Sequence, residues 1–311
     1  MHKFSLPALP RYDVVIVGAS NAGLSAALVL GRARRRVLVL GGELPREATS
    51  FHSHNFAFPR GGATLQELLR SVRERLQPYD VQLCVAEVQH ARRTATGSML
   101  NLSNGAQVTA TALVLATGVA EELPAVPGLA SLWGRGVYQC PYCHGWESRH
   151  SRVVVYGRAE AGYQQAVLVR QWVAQLTLAT DGPAHLTPDQ HAHLAHLRIA
   201  VNEQPVAALD GTARCPIALR FKDGSRLPLD ILFLEPVQRQ RSSVAAQLGC
   251  AFTPDGVYVQ VSETGLTTVP GVYAVGEMTG PFHQAILVAA TGTRAATALH
   301  HELVFGSPAL V

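Results

Sequence analysis

Charge is scarce in this sequence, at 15% of residues, and it nearly balances, leaving a formal net charge of +4 over 311 residues. No block of Lys and Arg with interleaved aromatics occurs, which removes a nucleic-acid surface from consideration. The densest basic run, Arg32, Arg34, Arg35 and Arg36, falls where a helical pattern ends and cations suit the helix dipole. Long apolar runs are missing too: none reaches the roughly 18 residues that a membrane-spanning helix needs. The opening stretch, Met1 to Arg11, carries Pro7 and Pro10 and lacks both an apolar region and a small-residue cleavage site. No secretory leader is expected, and a cytoplasmic location follows. Cysteine is sparse, five in all, and only Cys140 and Cys143 are close together. That excludes the disulfide framework of small secreted domains. A zinc site would need a second pair; Cys84, Cys215 and Cys250 are isolated, and His144 and His150 do not complete a set. No metal centre is expected.

What the sequence does have is glycine, 27 residues of it, and a hydrophobic fraction of 48%. A chain of this length exceeds a single core, so two domains are the default. Tyr12 to Val17 reads as a strand, Gly18 to Gly23 as a glycine turn, Leu24 to Leu30 as a helix and Val37 to Leu40 as a second strand. That order is the opening of a dinucleotide-binding fold. A helix is predicted over 65–76, and strands over 81–89 and 107–117, separated by an Asn104-Gly105 turn. The pattern then restarts, with strand 152–156, glycine turn 157–162, helix 163–173 and strand 175–179. Leu227 to Leu234 reads as a strand leading into a Glu235-Pro236 linker. Ser242 caps a helix over 242–248 that stops at Gly249. Strands 257–261 and 271–275 and a long small-residue helix, 286–301, complete the reading. The fold class is therefore α/β, with two nucleotide-binding Rossmann-like domains.

In the first loop Gly18 permits the sharp turn and Gly23 the close helix–strand approach, while Ser20 replaces the usual middle glycine. Ser20, Asn21 and Ala22 then open a helix whose N-terminus suits a pyrophosphate. By spacing of about twenty residues, Glu43 is the candidate for the ribose hydroxyls, a solvated loop residue being the alternative. Cys140-Pro141-Tyr142-Cys143 is the strongest chemical signal: one thiolate attacks a partner sulfur and the other resolves the mixed disulfide. His144 follows directly and can shuttle the proton a thiol gives up, with Glu147 nearby to orient it; both could instead be plain surface residues.

Taken together these features resemble the low-molecular-weight thioredoxin reductase family over essentially the whole chain. The markers are the Gly18–Gly23 loop, Ala116-Thr117-Gly118, the cysteine pair in the second nucleotide-like domain, and Val275-Gly276-Glu277. The resemblance implies a discontinuous FAD domain, 1–118 and 239–311, and an inserted domain, 119–238, that carries the dithiol. It also implies a homodimer, with Cys143 as the cysteine facing the flavin. Thr117, Gly118, Gly276 and Glu277 would meet the FAD, Glu277 standing where the family has Asp. His283, Gln284 and Ala285 would approach the pyrimidine end of the flavin, and Asn55, in His52-Ser53-His54-Asn55-Phe56, the isoalloxazine.

The departures from that family concern the second nucleotide. The loop Gly157-Arg158-Ala159-Glu160-Ala161-Gly162 has lost its middle glycine, and the following strand ends in Asp181 with no arginine for a 2′-phosphate. NADPH is therefore not expected; NADH stays open, with Asp181 either a ribose acid or part of an Asp181-Gly182-Pro183 turn. With the CxxC followed by His144, the chain resembles the family branch lacking the NADPH signature, in which relatives oxidise small dithiols or draw electrons from a ferredoxin-like protein. A second flavin in the vacated pocket is a further expectation. The predicted activity is exchange of two electrons between FAD, the Cys140/Cys143 pair and an external dithiol, disulfide or thioredoxin-like protein. An NADH-dependent flavin reductase and a flavin-loaded redox sensor are the competing classes.

Overall fold

The computed structural model describes residues 11–42, 65–213 and 215–306. The described residues divide into two compact units, one built from the segments before residue 121 and after residue 237, the other from the segment between them.

In unit 1 the elements run β1 (Arg11–Val17), α1 (Asn21–Arg32), β2 (Val37–Gly41), α2 (Leu65–Leu76), β3 (Val81–Val85), β4 (Val88–Thr94), β5 (Gly97–Leu102), β6 (Gln107–Leu115) and β7 (Val119–Glu122). Strands β3, β2, β1 and β6 lie side by side in parallel. The near-continuous apolar run of β1 suits a central strand covered on both faces. Period-2 alternation then divides its side chains. Val14 and Ile16 pack with Val37, Val39 and Val114 beneath α1 and α2, while Val15 and Val17 join Leu38, Leu40, Leu113 and Leu115 on the other face. The N-terminal half of β6 pairs antiparallel with β5, which pairs with β4.

Unit 2 continues with α3 (Leu129–Leu132), β8 (Val137–Tyr138), α4 (Pro141–His144), β9 (Arg152–Tyr156), α5 (Ala159–Val169), β10 (Gln175–Ala179), α6 (Pro188–His196) and β11 (Ala200–Asn202). It ends with β12 (Val206–Gly211), β13 (Pro216–Phe221), β14 (Arg226–Pro228) and β15 (Ile231–Leu234). Its main sheet, in the order β11-β10-β9-β15-β8, is parallel throughout. A three-stranded antiparallel sheet, β12-β13-β14, accompanies it.

The chain returns to unit 1 through β16 (Val237–Gln240), which pairs with β7, and closes with α7 (Val244–Gln247), β17 (Val272–Ala274) and α8 (Ala285–Phe305). Strand β17 adds to the C-terminal half of β6. Small residues let α8 cross α1 closely: a methyl group at Gly292 would overlap the carbonyl of Ala22.

The α/β class and both strand–loop–helix–strand units are present as the sequence indicates. Several boundaries differ. The predicted strand 81–89 is two strands, and β5 was missed, so the Asn104-Gly105 turn joins β5 to β6. Gly105 has φ 81° there. The predicted strand 227–234 is also two strands. Between them the Asp230 carboxylate accepts hydrogen bonds from the backbone N–H and guanidinium of Arg152, and the chain changes sheets. Helix α5 starts four residues earlier than predicted and ends at Val169. Helix α7 is one turn, entered from Ser243 instead of Ser242. Residues 257–261 make only isolated bridges, Val259 to Phe252 and Val261 to Thr267.

Candidate active site

Two places carry the chemistry, one in each unit. In unit 1 a cleft of about 380 Å³ opens at the ends of β1, β2 and β6. Its walls include Gly18, Ser20, Ala22, Gly41, Gly42, Thr117, Gly118, Gly276 and Glu277. Gly18 has φ 125°, a conformation open to glycine, and a methyl there would overlap the carbonyl oxygen of Ala116. One on Gly23 would overlap the Gly18 carbonyl, so the loop and the start of α1 sit at the closest approach backbone allows. The first turn of α1, with Asn21, Ala22 and Gly23, carries no acidic side chain. Its leading N–H groups and positive dipole end therefore suit an anion. Gly276 (φ 77°) and the buried Glu277 come from the turn after β17, and Gly118 (φ 69°) stands close to the Glu277 carboxylate. A cleft that ends at a helix N-terminus with no acid in its first turn fits the pyrophosphate of FAD.

Of the other cofactor candidates, Glu43 and Asn55 lie outside the described residues. His283, Gln284 and Ala285 form the entry to α8, which sends Val288 into the cleft. The His283 ring meets the Gly280 carbonyl at 3.2 Å and Gln238 at 3.5 Å. Arg73, Glu87, Arg241, Ser242 and Ser243 also line the cleft and were not singled out for it. They come from helix and loop positions remote in sequence, and only the Gly41-Gly42 strand end offered a signal.

In unit 2 the dithiol is a disulfide, Cys140–Cys143, with Cα atoms 5.3 Å apart. Cys140 occupies the N-cap of α4 with Pro141 in the first turn, so the pair spans one helical turn set up by proline's fixed φ. The turn is packed from behind. A methyl on Gly145 would come within 2.5 Å of the Pro141 carbonyl and 2.7 Å of the Trp172 ring, and Tyr142 meets Trp172 edge-on at 5.4 Å. His144 ends α4 and lies flat on Tyr138, ring centroids 3.8 Å apart and planes 6° from parallel. Burial, first, and then the charge of Glu147 push the Tyr138 phenol up, so that ring stays neutral. Glu147 itself is exposed on the following turn, as are Tyr142 and Trp146, with the Arg149 guanidinium 4.2 Å above the Trp146 ring. Cys140, Cys143 and His144 thus lie on one helical turn. Tyr138 and Trp172 were not anticipated, because their role is set by packing and not by any motif.

Also in unit 2, the second glycine loop is closed by its own chain. Gly157 and Gly162 touch, but Arg158 takes the N-cap of α5, Ala159 follows at φ 52°, and Glu160 stands in the first turn. The Ala159 N–H donates to the carbonyl of the buried Ala184 at 2.8 Å. Both Asp181 carboxylate oxygens are engaged, one by the Tyr156 hydroxyl at 2.8 Å and one by the Val206 N–H at 2.7 Å. Arg158 donates to the Asp181 carbonyl at 2.8 Å and pairs with its carboxylate at 3.8 Å. Among the described residues no cluster of His, Cys, Asp and Glu is arranged to hold a metal ion. No helix among them is long and apolar enough to cross a membrane.

Known proteins are similar to this chain over most of its length. HlmI, a solved structure 33% identical, superposes with a TM-score of 0.89 over 94% of this chain and 92% of its own. The thioredoxin reductase sirT of Leptosphaeria maculans is 25% identical over 94% of both chains. The bifunctional thioredoxin reductase/thioredoxin of Mycobacterium leprae is 26% identical over 92% of this chain and 64% of that longer protein. The family model for pyridine nucleotide-disulphide oxidoreductases matches residues 12–300. Membership implies a flavin and, for the family at large, a nicotinamide nucleotide. With a Rossmann-type flavin fold and a Cys140–Cys143 disulfide, this chain belongs to the pyridine nucleotide-disulphide oxidoreductase family, as a thioredoxin reductase-like, flavin-dependent disulfide oxidoreductase.

Proposed function

We propose that this enzyme oxidises small dithiols, without a pyridine nucleotide, and passes the two electrons through Cys140–Cys143 to FAD and on to oxygen. The observation that carries the reading is the closure of the second glycine loop. Where a dinucleotide's pyrophosphate would meet the start of α5, the Ala159 N–H is already bonded to Ala184 and the Glu160 carboxylate sits in the first turn. Where a ribose would meet an acid, Asp181 is engaged by Tyr156 and Val206. An arginine capable of reading a 2′-phosphate is absent from the end of β10.

In unit 1 the Gly18 loop with Ser20, Asn21, Ala22 and Gly23 would hold the FAD pyrophosphate. Thr117, Gly118, Gly276 and Glu277 would hold the ribityl region, Glu43 and Asn55 the ribose and ring, and His283, Gln284 and Ala285 the pyrimidine end. When bound, FAD supplies the acceptor for an electron pair. In unit 2 a substrate thiol gives its proton to His144 and its sulfur attacks one Sγ of the disulfide. The Cys140–Cys143 bond breaks as the mixed disulfide forms, and the released cysteine takes the electron pair as a thiolate. The substrate's second thiol gives its proton to the released cysteine thiolate and attacks its own mixed-disulfide sulfur. A cyclic substrate disulfide leaves, and Cys140 and Cys143 are both reduced. Glu147, beside this assembly, would orient the imidazole. The chain would work as a homodimer.

Anaerobic mixing of the FAD-loaded protein with NADPH, NADH and a dithiol in separate stopped-flow runs tests this. Bleaching by dithiol alone, reversed by air, is expected; fast bleaching by micromolar nucleotide would overturn it. A second reading, reduction of a thioredoxin-like protein, is favoured by the thioredoxin module fused to the Mycobacterium leprae relative. It would need another electron donor, such as a ferredoxin-like protein.

A further inference from the structure

We propose that Tyr138 is a positioning residue for the thiol exchange, holding the His144 ring in place and favouring its protonated form. The inference rests on the reading that Cys140–Cys143 exchanges with an external thiol through His144. Four observations lead to it. Tyr138 and His144 are stacked face to face at 3.8 Å and 6°, so the phenol ring lies as a flat floor under the imidazole. The floor is anchored: Tyr138 lies in β8, in register with Phe233 of β15, and leans on that fully buried ring at 6.1 Å. The backbone of His144 is held separately, its carbonyl accepting from the hydroxyl of buried Ser148 at 2.7 Å. Finally, the Tyr138 phenol remains neutral, so it offers His144 an electron-rich face without a counter-charge.

Those facts have a chemical consequence. When a substrate thiol transfers its proton to His144, positive charge appears on a ring lying over an aromatic face, and that face attracts a cation. The sulfur attacks one Sγ, the Sγ–Sγ bond breaks, and the leaving cysteine carries the electron pair. Tyr138 takes part in no bond change; it acts through His144 by holding the proton acceptor of the helical turn that carries the disulfide. Small misplacements of such a group are costly, on the order of a hundredfold in rate for about 1 Å.

The test follows reduction of the disulfide in the flavin-loaded holoprotein by dithiothreitol, anaerobically, with quenched alkylation and mass measurement of Cys140 and Cys143. Wild type, Y138F, Y138L, H144N and Y138L/H144N are compared, with bound flavin reporting an intact fold. Should Y138L lose its flavin, Y138M takes its place. Y138L is expected to lower the limiting rate roughly tenfold without changing the dithiothreitol concentration at half-maximal rate. Y138F should restore it to within about twofold of wild type, and the double variant should be no slower than H144N, as residues acting through one another behave. A full Y138L penalty in the H144N background would mean a merely structural role and overturn the proposal. So would Y138L reacting like wild type, or Y138F as slow as Y138L. A wild-type disulfide inert to dithiothreitol would sink the thiol-exchange reading beneath it, which is a different result from any of these.

Discussion

Gly18–Gly23 and Gly157–Gly162 each join a buried parallel strand to a helix, with glycines at both ends of the loop, yet their helices begin in opposite surroundings. The first loop leaves the start of α1 on an open cleft with no acid in the first turn. The second puts Arg158 at the cap, Glu160 in the first turn and Ala184 on the Ala159 N–H, and the Asp181 carboxylate closes the position beside it. The same supersecondary unit opens on a cleft in one place and bonds to its own chain in the other. The strand and helix do not distinguish the two; what the next loop does with the exposed N–H groups does.

The largest expected effect separates the loops at their first glycine. Gly18→Val puts a β-branched residue at φ 125° against a backbone carbonyl, and should cost about 4 kcal/mol or more and empty the protein of flavin. Flavin-to-protein absorbance on the purified variant checks it; normal loading would break the comparison.

Next comes the lock of the second loop. Asp181→Ala leaves the Tyr156 hydroxyl and the Val206 N–H without their acceptor, for a loss of about 2–4 kcal/mol in urea unfolding. Burial, and then the bond to Asp181, hold the Tyr156 phenol protonated through the alkaline range, so the lock should not open there. If the variant instead gained NADH-driven flavin reduction, the loop would be a masked nucleotide site.

Gly157→Ala should be milder than Gly18→Val. A methyl there comes 3.0 Å from the Gly162 Cα and needs no unusual φ, so about 1–2 kcal/mol with flavin content unchanged is expected by thermal unfolding.

The smallest effect concerns Arg152–Asp230, which ties the first residue of β9 to the approach of β15 at 2.7 Å. The hydrogen bonds from Arg152 hold the Asp230 carboxyl below its ordinary value. A depressed carboxylate adds stability above its unfolded-state pKa and loses it as pH falls through the folded one. Both side chains are close to half exposed, so solvent screening limits this to a few tenths of a kcal/mol. Comparison of unfolding midpoints for wild type and Asp230→Asn between about pH 5 and pH 3 should show the difference shrinking with acid.

Legibility followed the physics of each segment. Strands β9 and β10 and helix α2 were read at their observed boundaries, because apolar runs and 3.6-residue periodicity are local properties. β5 escaped because its sequence, Gly97 to Leu102, carries polar Ser98 and Asn101; Ser98 is nonetheless buried, and pairing with β6 supplies the stabilisation. The strand predicted over 227–234 hid a change of sheet at Asp230, since a largely apolar pattern does not say which neighbour each part of it chooses. Of the sites, the first glycine loop and the Cys140-to-His144 run announced themselves through spacing. Arg73, Arg241 and Ser243 at the cleft, and Tyr138 under His144, did not, since each reaches its site from a separate element.

The sequence by itself determined the α/β class, the duplicated strand–loop–helix unit, the dithiol, and the weakness of the second nucleotide motif, all of which are written in residue type and short-range spacing. Only the tertiary structure decided that Asp181 bonds to Tyr156 and Val206, that Ala184 closes the α5 N-terminus, and that His144 rests on Tyr138. Those are contacts between groups up to 25 residues apart, and their direction is set by how the chain packs, a quantity no local pattern contains.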